Sequence, residues 1–394
     1  MSDEPAFHEI EQPAGAPLVA PLQSETIDEC RRNVYQSYER FLRSRLQELD
    51  HRREEHWRRD YASIEAYIAS VAPMRRRLQE MLGFWIEPPE RRPLVIQDRK
   101  SVYSDDTLEA FRFTFDVLPG VISYAIELVP RDNPRAGLLI QHGYGATPEA
   151  ACGFVASANA DDYSYRSFGL RAARRGFHVV AVHHPSSFGA LDDVILTPPP
   201  GFDHQTHAYG KNRLHRLAIM SRGTLFGLDM MASSRGLDYL ASQTGGLPVG
   251  MYGLSQGGQS ALYLPAMDTR IEASVCSAFF NDRVKKLIGP SRALCYLDSH
   301  EEDKFFAETI GLFCDADLVS LIAPRAFAVE AGEQDAAVDF EQSFKEFQRA
   351  RSHFQKLGRG SRIEFIAHHQ GHISGTRRAF EFLEQNLLQR RASP

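Results

Sequence analysis

Two periods alternate along this chain. Between Ile27 and Leu49 the apolar residues Ile27, Val34, Phe41, Leu42, Leu46 and Leu49 recur near helical spacing among many charges, and a second such segment runs from Ser63 to Leu82, ahead of Gly83 and Pro88-Pro89. Both read as amphipathic helices. They either pack on the main domain or, because a narrow apolar seam also suits a partner helix, join two copies as a homodimer. After Pro93 the period drops to two: Ala110 to Val117 alternates, and Val121 to Val129 follows across Pro119-Gly120 as a hairpin. Apolar runs separated by helical stretches come next, at Ala136–Ile140, Phe177–Val182, Pro248–Tyr252, Ile271–Phe279, Arg325–Glu330 and Arg362–Ile366. Strands of a parallel sheet covered on both faces look like this, so the predicted class is doubly wound α/β.

The same pattern divides the chain. Residues 1–23, rich in Pro and acidic groups, are expected to be a mobile tail, residues 24–100 a helical N-terminal extension, and residues 101–394 the catalytic domain. One connection, 185–222 with its "TPPPGFDHQTHAYG", is too long for a turn and is expected to roof a pocket.

Composition narrows the function. At 43% hydrophobic and 24% charged over 394 residues, the chain has the make-up of an ordinary globular protein. A net charge of -6 leaves no global basic field for a polyanion, so nucleic acid is not an expected partner. The five cysteines are scattered, with no CxxC pair, as buried thiols in a reducing compartment are. No window offers the roughly eighteen apolar residues of a membrane span, and the N-terminus lacks the basic and apolar regions of a signal peptide. The expected setting is the cytoplasm, with no membrane partner.

Candidate chemistry begins at "YGLSQGGQSA". Gly253-Leu254-Ser255-Gln256-Gly257 fits GxSxG and lies between an apolar strand and a helix, the setting of a nucleophile elbow. Side chains at Gly253 and Gly257 would collide with the neighbouring strand and helix, and Gly258 relieves the same crowding. A serine hydroxyl needs a base, and the base needs an orienting acid. The polar loop after Phe327–Glu330 offers Asp335 as the acid, with Glu330 and Asp339 as competitors; "AHHQGHISG" after the last strand offers His368, His369 and His372, of which His372, after Gly371, is the candidate base. Three histidines in five residues also raise a metal site, but that would need a carboxylate or cysteine close by and a geometry a strand-end loop seldom gives, and it would leave the GxSxG elbow unexplained, so no metal or other cofactor is expected. The loop Gln141-His142-Gly143-Tyr144-Gly145 can present amides to Ser255, so Tyr144 and Gln256 are the candidate oxyanion donors. A dinucleotide loop is disfavoured by Pro148, which stands where the third glycine belongs. Tyr144, Phe188 and Leu191 are candidate substrate contacts.

Together, "HGYG", "GLSQGG", "LIAPRAFAVEAGEQD" and "GHISGTRRAFEFL" resemble the α/β-hydrolase superfamily, on its dienelactone-hydrolase-like and acetyl-xylan-esterase-like branch, over roughly Val102 to Leu388. The helical lead-in ending "RRRLQEMLG" resembles extensions seen there. This resemblance implies the α/β-hydrolase fold, Ser255 as nucleophile, Asp335 as acid, His372 as base, and Tyr144 with Gln256 at the oxyanion hole. Relatives often carry Gly or Pro where this chain has Ala336, and Pro where it has Gly371. The expected function is hydrolysis of a small-molecule carboxylic ester through an acyl-enzyme. The alternatives are a C–C bond hydrolase or serine peptidase on the same residues, and a non-catalytic binding protein that keeps the fold.

Overall fold

The structure, a computed structural model, describes residues 23–154, 164–187, 209–299 and 301–388. Its centre is a nine-stranded sheet made of β1 (Ile96–Ser104), β2 (Leu108–Leu118), β3 (Val121–Pro130), β4 (Ala136–Gln141), β5 (Phe177–Val182), β6 (Val249–Leu254), β7 (Ile271–Ser277), β8 (Ala326–Gly332) and β9 (Ile363–His368). The spatial order is β1-β2-β3-β5-β4-β6-β7-β8-β9. β1 to β3 and the β3–β5 pair are antiparallel, and the pairs from β5 through β4 to β9 are parallel.

Burial explains the composition of the strands. Every residue of β4, β5, β6 and β8 is buried, because helices cover both faces, and these are the uninterrupted apolar runs of the sequence. One face packs against the helices Ile64–Leu82, Leu225–Thr244, Gln256–Met267, Asp315–Ile322 and Phe340–Lys356, the other against Phe168–Ala173 and Arg377–Leu387. The hairpin of β2 and β3 turns at Pro119-Gly120 as its sequence requires, with Gly120 at φ 77°. β1, by contrast, straddles residue 100, where the expected helical extension gives way to the catalytic domain. Its Gln97, Asp98, Arg99 and Lys100 suit an edge strand, where charges discourage further pairing, and they hide its pattern from a search for apolar alternation.

Residues up to His51 form one unit and Arg52 onward another. The first is the helix Ser24–Arg52, laced along its own surface by Arg43–Glu39 and Arg45–Glu48 ion pairs. In the second, Ser63 caps the helix Ile64–Leu82 by accepting from the Ala66 amide. Polar anchors then hold this segment to the sheet's covering helices. Arg53 and Arg59 both pair with buried Asp317, the Tyr67 hydroxyl donates to the Ser320 carbonyl, and Arg75 donates to the carbonyls of Ala266 and Leu321 at two helix C-termini. Residues 1–22 of the expected tail, and residues 188–208 of the expected roof, lie outside the described residues.

Candidate active site

At the C-terminal tip of β6 the chain turns through Ser255, at φ 60° and ψ -118°, directly into the helix Gln256–Met267. A serine in that region costs about 1–3 kcal/mol, and surrounding contacts hold it there. The Ser255 amide donates to the Ser277 carbonyl (2.9 Å), and the Ser255 carbonyl accepts from the Gln259 amide (2.9 Å). The neighbouring glycines are required by space: a Cβ on Gly253 would stand 2.0 Å from the Gly257 oxygen, and one on Gly258 would stand 2.3 Å from the Ser277 oxygen.

Asp335 lies in the loop after β8, with its side chain fully buried. Its Oδ1 accepts from the amides of Ala337 (2.7 Å) and Val338 (3.2 Å), which fixes the carboxylate. His372, in the loop after β9, brings Nδ1 to 2.9 Å from Asp335 Oδ2 and 3.0 Å from Oδ1. An imidazole held this way carries its proton on Nδ1 and leaves Nε2 free to accept one. The competing carboxylates are occupied elsewhere. Glu330, in β8, accepts from the Tyr252 hydroxyl (2.5 Å) and the Thr376 amide (2.9 Å), and Asp339 caps the helix Phe340–Lys356 by accepting from Gln342. His369 turns out to solvent beside Glu333, and His368 lies half-buried at the end of β9.

Ser277 links the two loops: its carbonyl takes the Ser255 amide, and its hydroxyl donates to the carbonyl of Ile373, next to His372 (3.4 Å). Ser255 and His372 thus approach the same residue, with no direct hydrogen bond between them among the described residues.

The loop after β4 abuts Ser255. A Cβ on Gly143 would lie 3.1 Å from that of Ser255, and the Gly143 amide donates to the Tyr165 hydroxyl (2.7 Å). His142 braces the loop from beneath, with Nδ1 at the Gly143 carbonyl and Nε2 accepting from the His184 amide. Burial, helped by His183, pushes the His142 imidazole down to about 3, so it stays neutral. Tyr144 carries the Lys211 ammonium 4.2 Å above its ring, and Gln256 opens the helix after Ser255. Phe188 and Leu191 lie outside the described residues. Pro148 opens the short helix Pro148–Cys152, which places it in a first helical turn. Among the described residues, no group of three or more His, Cys, Asp or Glu side chains is arranged to hold a metal ion.

No protein-family model matches the sequence. YtaP of Bacillus subtilis (strain 168), a protein named as a hydrolase, is 23% identical over 269 residues, 67% of this chain and 81% of its own. Among solved structures, a Bacteroides fragilis NCTC 9343 protein named as an acetyl xylan esterase superposes with a TM-score of 0.60 at 14% identity, covering 89% of this chain and 90% of that one. A glucuronoyl esterase from Teredinibacter turnerae T7901 gives 0.57 at 14% identity, covering 84% and 86%. With the parallel sheet and a strained serine between β6 and its helix, the architecture is decided. This is the α/β-hydrolase fold.

The hydrolase fold also surrounds its strand tips with a polar layer that the sequence does not announce. Asp303 lies 2.7 Å from Lys211 and 2.9 Å from Lys304, all three nearly inaccessible, and Lys304 donates to Gln259 Oε1 (3.1 Å) in the first turn after Ser255. Burial alone would raise the Asp303 carboxyl, but the two ammonium groups outweigh it and hold it at about 2. In the sequence these charges resemble a solvated surface, since "KNRLHR" and "EEDKFF" carry no signal of burial. The hydrolase fold likewise buries Asp229 and Ser186 beside Gln256. No described helix is long and apolar enough to cross a membrane.

Proposed function

We propose that this protein is a serine esterase that cleaves a carboxylic ester through an acyl-enzyme, with Ser255 as nucleophile, His372 as general base and Asp335 as the residue that orients it. The observation that carries the reading is the two-oxygen contact from Asp335 to His372 Nδ1, in a loop tied through Ser277 to the strained elbow at Ser255. In this mechanism His372 Nε2 takes the proton of Ser255 Oγ as Oγ attacks the ester carbonyl. The Tyr144 and Gln256 amides donate hydrogen bonds to the carbonyl oxygen as negative charge develops on it, each contributing on the order of 3 kcal/mol. His372 gives its proton to the leaving alcohol, then deprotonates the water that attacks the acyl-enzyme and releases the acid.

The names of the structural neighbours, acetyl xylan esterase and glucuronoyl esterase, favour an ester carried on a carbohydrate. Ser255→Ala is expected to lower kcat on a short-chain aryl ester by about 10⁴-fold or more and to abolish labelling by a fluorophosphonate. Full activity of that variant would overturn the mechanism. A panel of acetylated sugars, feruloyl esters and longer acyl esters reads the substrate: turnover of acetylated sugars in preference to long acyl chains is expected, and the reverse order would remove the carbohydrate assignment.

A further inference from the structure

The loop after β5, His183-His184-Pro185-Ser186-Ser187, touches both arms of the candidate oxyanion hole. Ser187 Oγ donates to the carbonyls of Gly143 (3.3 Å) and Ala146 (3.2 Å), spanning the Tyr144 turn. Ser186 Oγ accepts from the Gln256 side-chain amide, so the residue after the nucleophile is tied down by its side chain. Ser186 is itself gripped by Asp229 of the helix Leu225–Thr244: its amide donates to Oδ1 (3.2 Å) and its hydroxyl to Oδ2 (2.5 Å), while Gln256 Nε2 lies 3.4 Å from Oδ2. Asp229 and Ser186 are wholly buried, and Gln256 is 3% exposed.

This arrangement is costly to bury. Asp229 has no ion-pair partner within contact among the described residues; the charges facing it, Lys304 and Asp303, both come from the turn 302–304, and the buried histidines nearby are kept neutral. Burial raises its carboxyl to about 7 against the pull of the Ser186 hydrogen bonds. Packing alone would be served by an apolar residue, whereas three donors converging on one carboxyl are served by its two oxygens. The orientation of the peptide between Ser255 and Gln256 follows from Ser255 ψ and Gln256 φ. Ser277 clamps that turn on one side, and the Ser186–Asp229 pair clamps it on the other.

We infer that Asp229 is a positioning residue: acting through Ser186 and the side chain of Gln256, it aims the Gln256 amide at the oxyanion formed at Ser255. The inference rests on the esterase reading above. A donor misaimed in the transition state lowers kcat and leaves ground-state binding unchanged.

The test uses the full chain carrying Asp229→Ala, Ser186→Ala or Asp229→Asn, each first checked by its thermal transition and circular dichroism. With an aryl acetate, Asp229→Ala and Ser186→Ala are expected to lower kcat by about 10- to 100-fold with KM within about twofold, and to weaken a trifluoromethyl ketone, whose adduct bears the oxyanion, by a similar factor. Asp229→Asn is expected to recover at least part of the loss, because its Oδ1 still accepts and the Gln256 amide can turn over to receive its NH₂. Ser186→Ala, which removes one hydroxyl, keeps the question open to measurement if Asp229→Ala does not fold. A folded variant with kcat and ketone affinity within twofold of the parent, or one in which only KM rises, overturns the inference. Ser255→Ala run alongside separates the two claims: activity retained there overturns the esterase reading, whereas activity lost there with Asp229→Ala unaffected overturns the positioning role alone.

Discussion

A Cβ placed on Gly257 would stand 2.1 Å from the carbonyl oxygen of Gln141. The first turn of the helix after Ser255 is thus pressed directly onto the end of β4, the strand that leads into the Tyr144 loop. Gly257→Ala is expected to force these backbones apart. A loss of about 2–3 kcal/mol in denaturant unfolding, with activity falling at least tenfold in the protein that still folds, is the expected outcome. Wild-type stability and turnover would mean that the two tips are not in this contact.

Two buried carboxylates lie at and just beyond the end of β8, and they should behave differently. Asp335→Asn keeps the shape but donates where His372 Nδ1–H needs an acceptor, so kcat is expected to drop by about 10³- to 10⁴-fold with little change in stability. Glu330→Gln loosens the Tyr252 hydroxyl and the Thr376 amide instead, and is expected to cost about 1–3 kcal/mol of stability while activity stays within about tenfold. Kinetics and thermal melts on the pair check this, and an exchange of the two phenotypes would make Glu330 the orienting acid.

Asp317 holds Arg53 and Arg59, with side-chain exposures of 2%, 5% and 7%. Burial raises its carboxyl, and the two guanidinium groups pull it down further than burial raises it. Asp317→Asn removes the buried anion that Arg53 and Arg59 share, while Arg59 keeps its pair with Glu54 (2.9 Å), a loss on the order of 3 kcal/mol. The expected result is release of the segment that carries the helix Ile64–Leu82, read as new protease cleavage between residues 53 and 95. An unchanged digestion pattern would count against this anchor.

Acid should destabilise the protein. Burial, the first cause in each case, depresses His142 to about 3, His183 to about 4 and His353 to about 3, against an ordinary 6.5. The unfolded chain therefore binds more protons below pH 6.5, so the stability these groups contribute is present above 6.5 and is lost as pH falls toward 4. Asp229 works the other way: its carboxyl is raised to about 7 from 3.8, so its contribution is present below 3.8 and is lost as pH rises to 7. Three histidines against one carboxyl leave a net loss on the order of 3 kcal/mol between pH 7 and pH 5. Urea titrations at the two pH values measure it, and Asp229→Asn should make the fall steeper.

Much of this was legible in one dimension. The apolar runs mark six of the nine strands, β4 to β9, because deep burial leaves few polar positions to interrupt them, and the hairpin marks β2 and β3, the alternation of β2 being equally plain. β1 escapes because an edge strand buries little and carries Asp98, Arg99 and Lys100. Ser255 is visible because an elbow demands glycines at fixed offsets, and Asp335 and His372 because they follow strands in the order a hydrolase fold uses. Choosing His372 over His368 and His369, or Asp335 over Glu330, rests in the sequence on position alone; in the structure it rests on which carboxylate meets Nδ1 and which is already taken by Tyr252.

The chain's order of residues, by itself, determined where the buried strands and their helices form and which serine is strained, since periodicity, capping and glycine placement act over a few neighbouring residues. Tertiary structure alone decided which charges are buried. Asp303 meets Lys211 across 92 positions of chain, and Asp229 meets Ser186 across 43. Such pairs leave no local mark, because a charged side chain reads the same in sequence whether water or another charge surrounds it, and only the closing of distant segments removes the water.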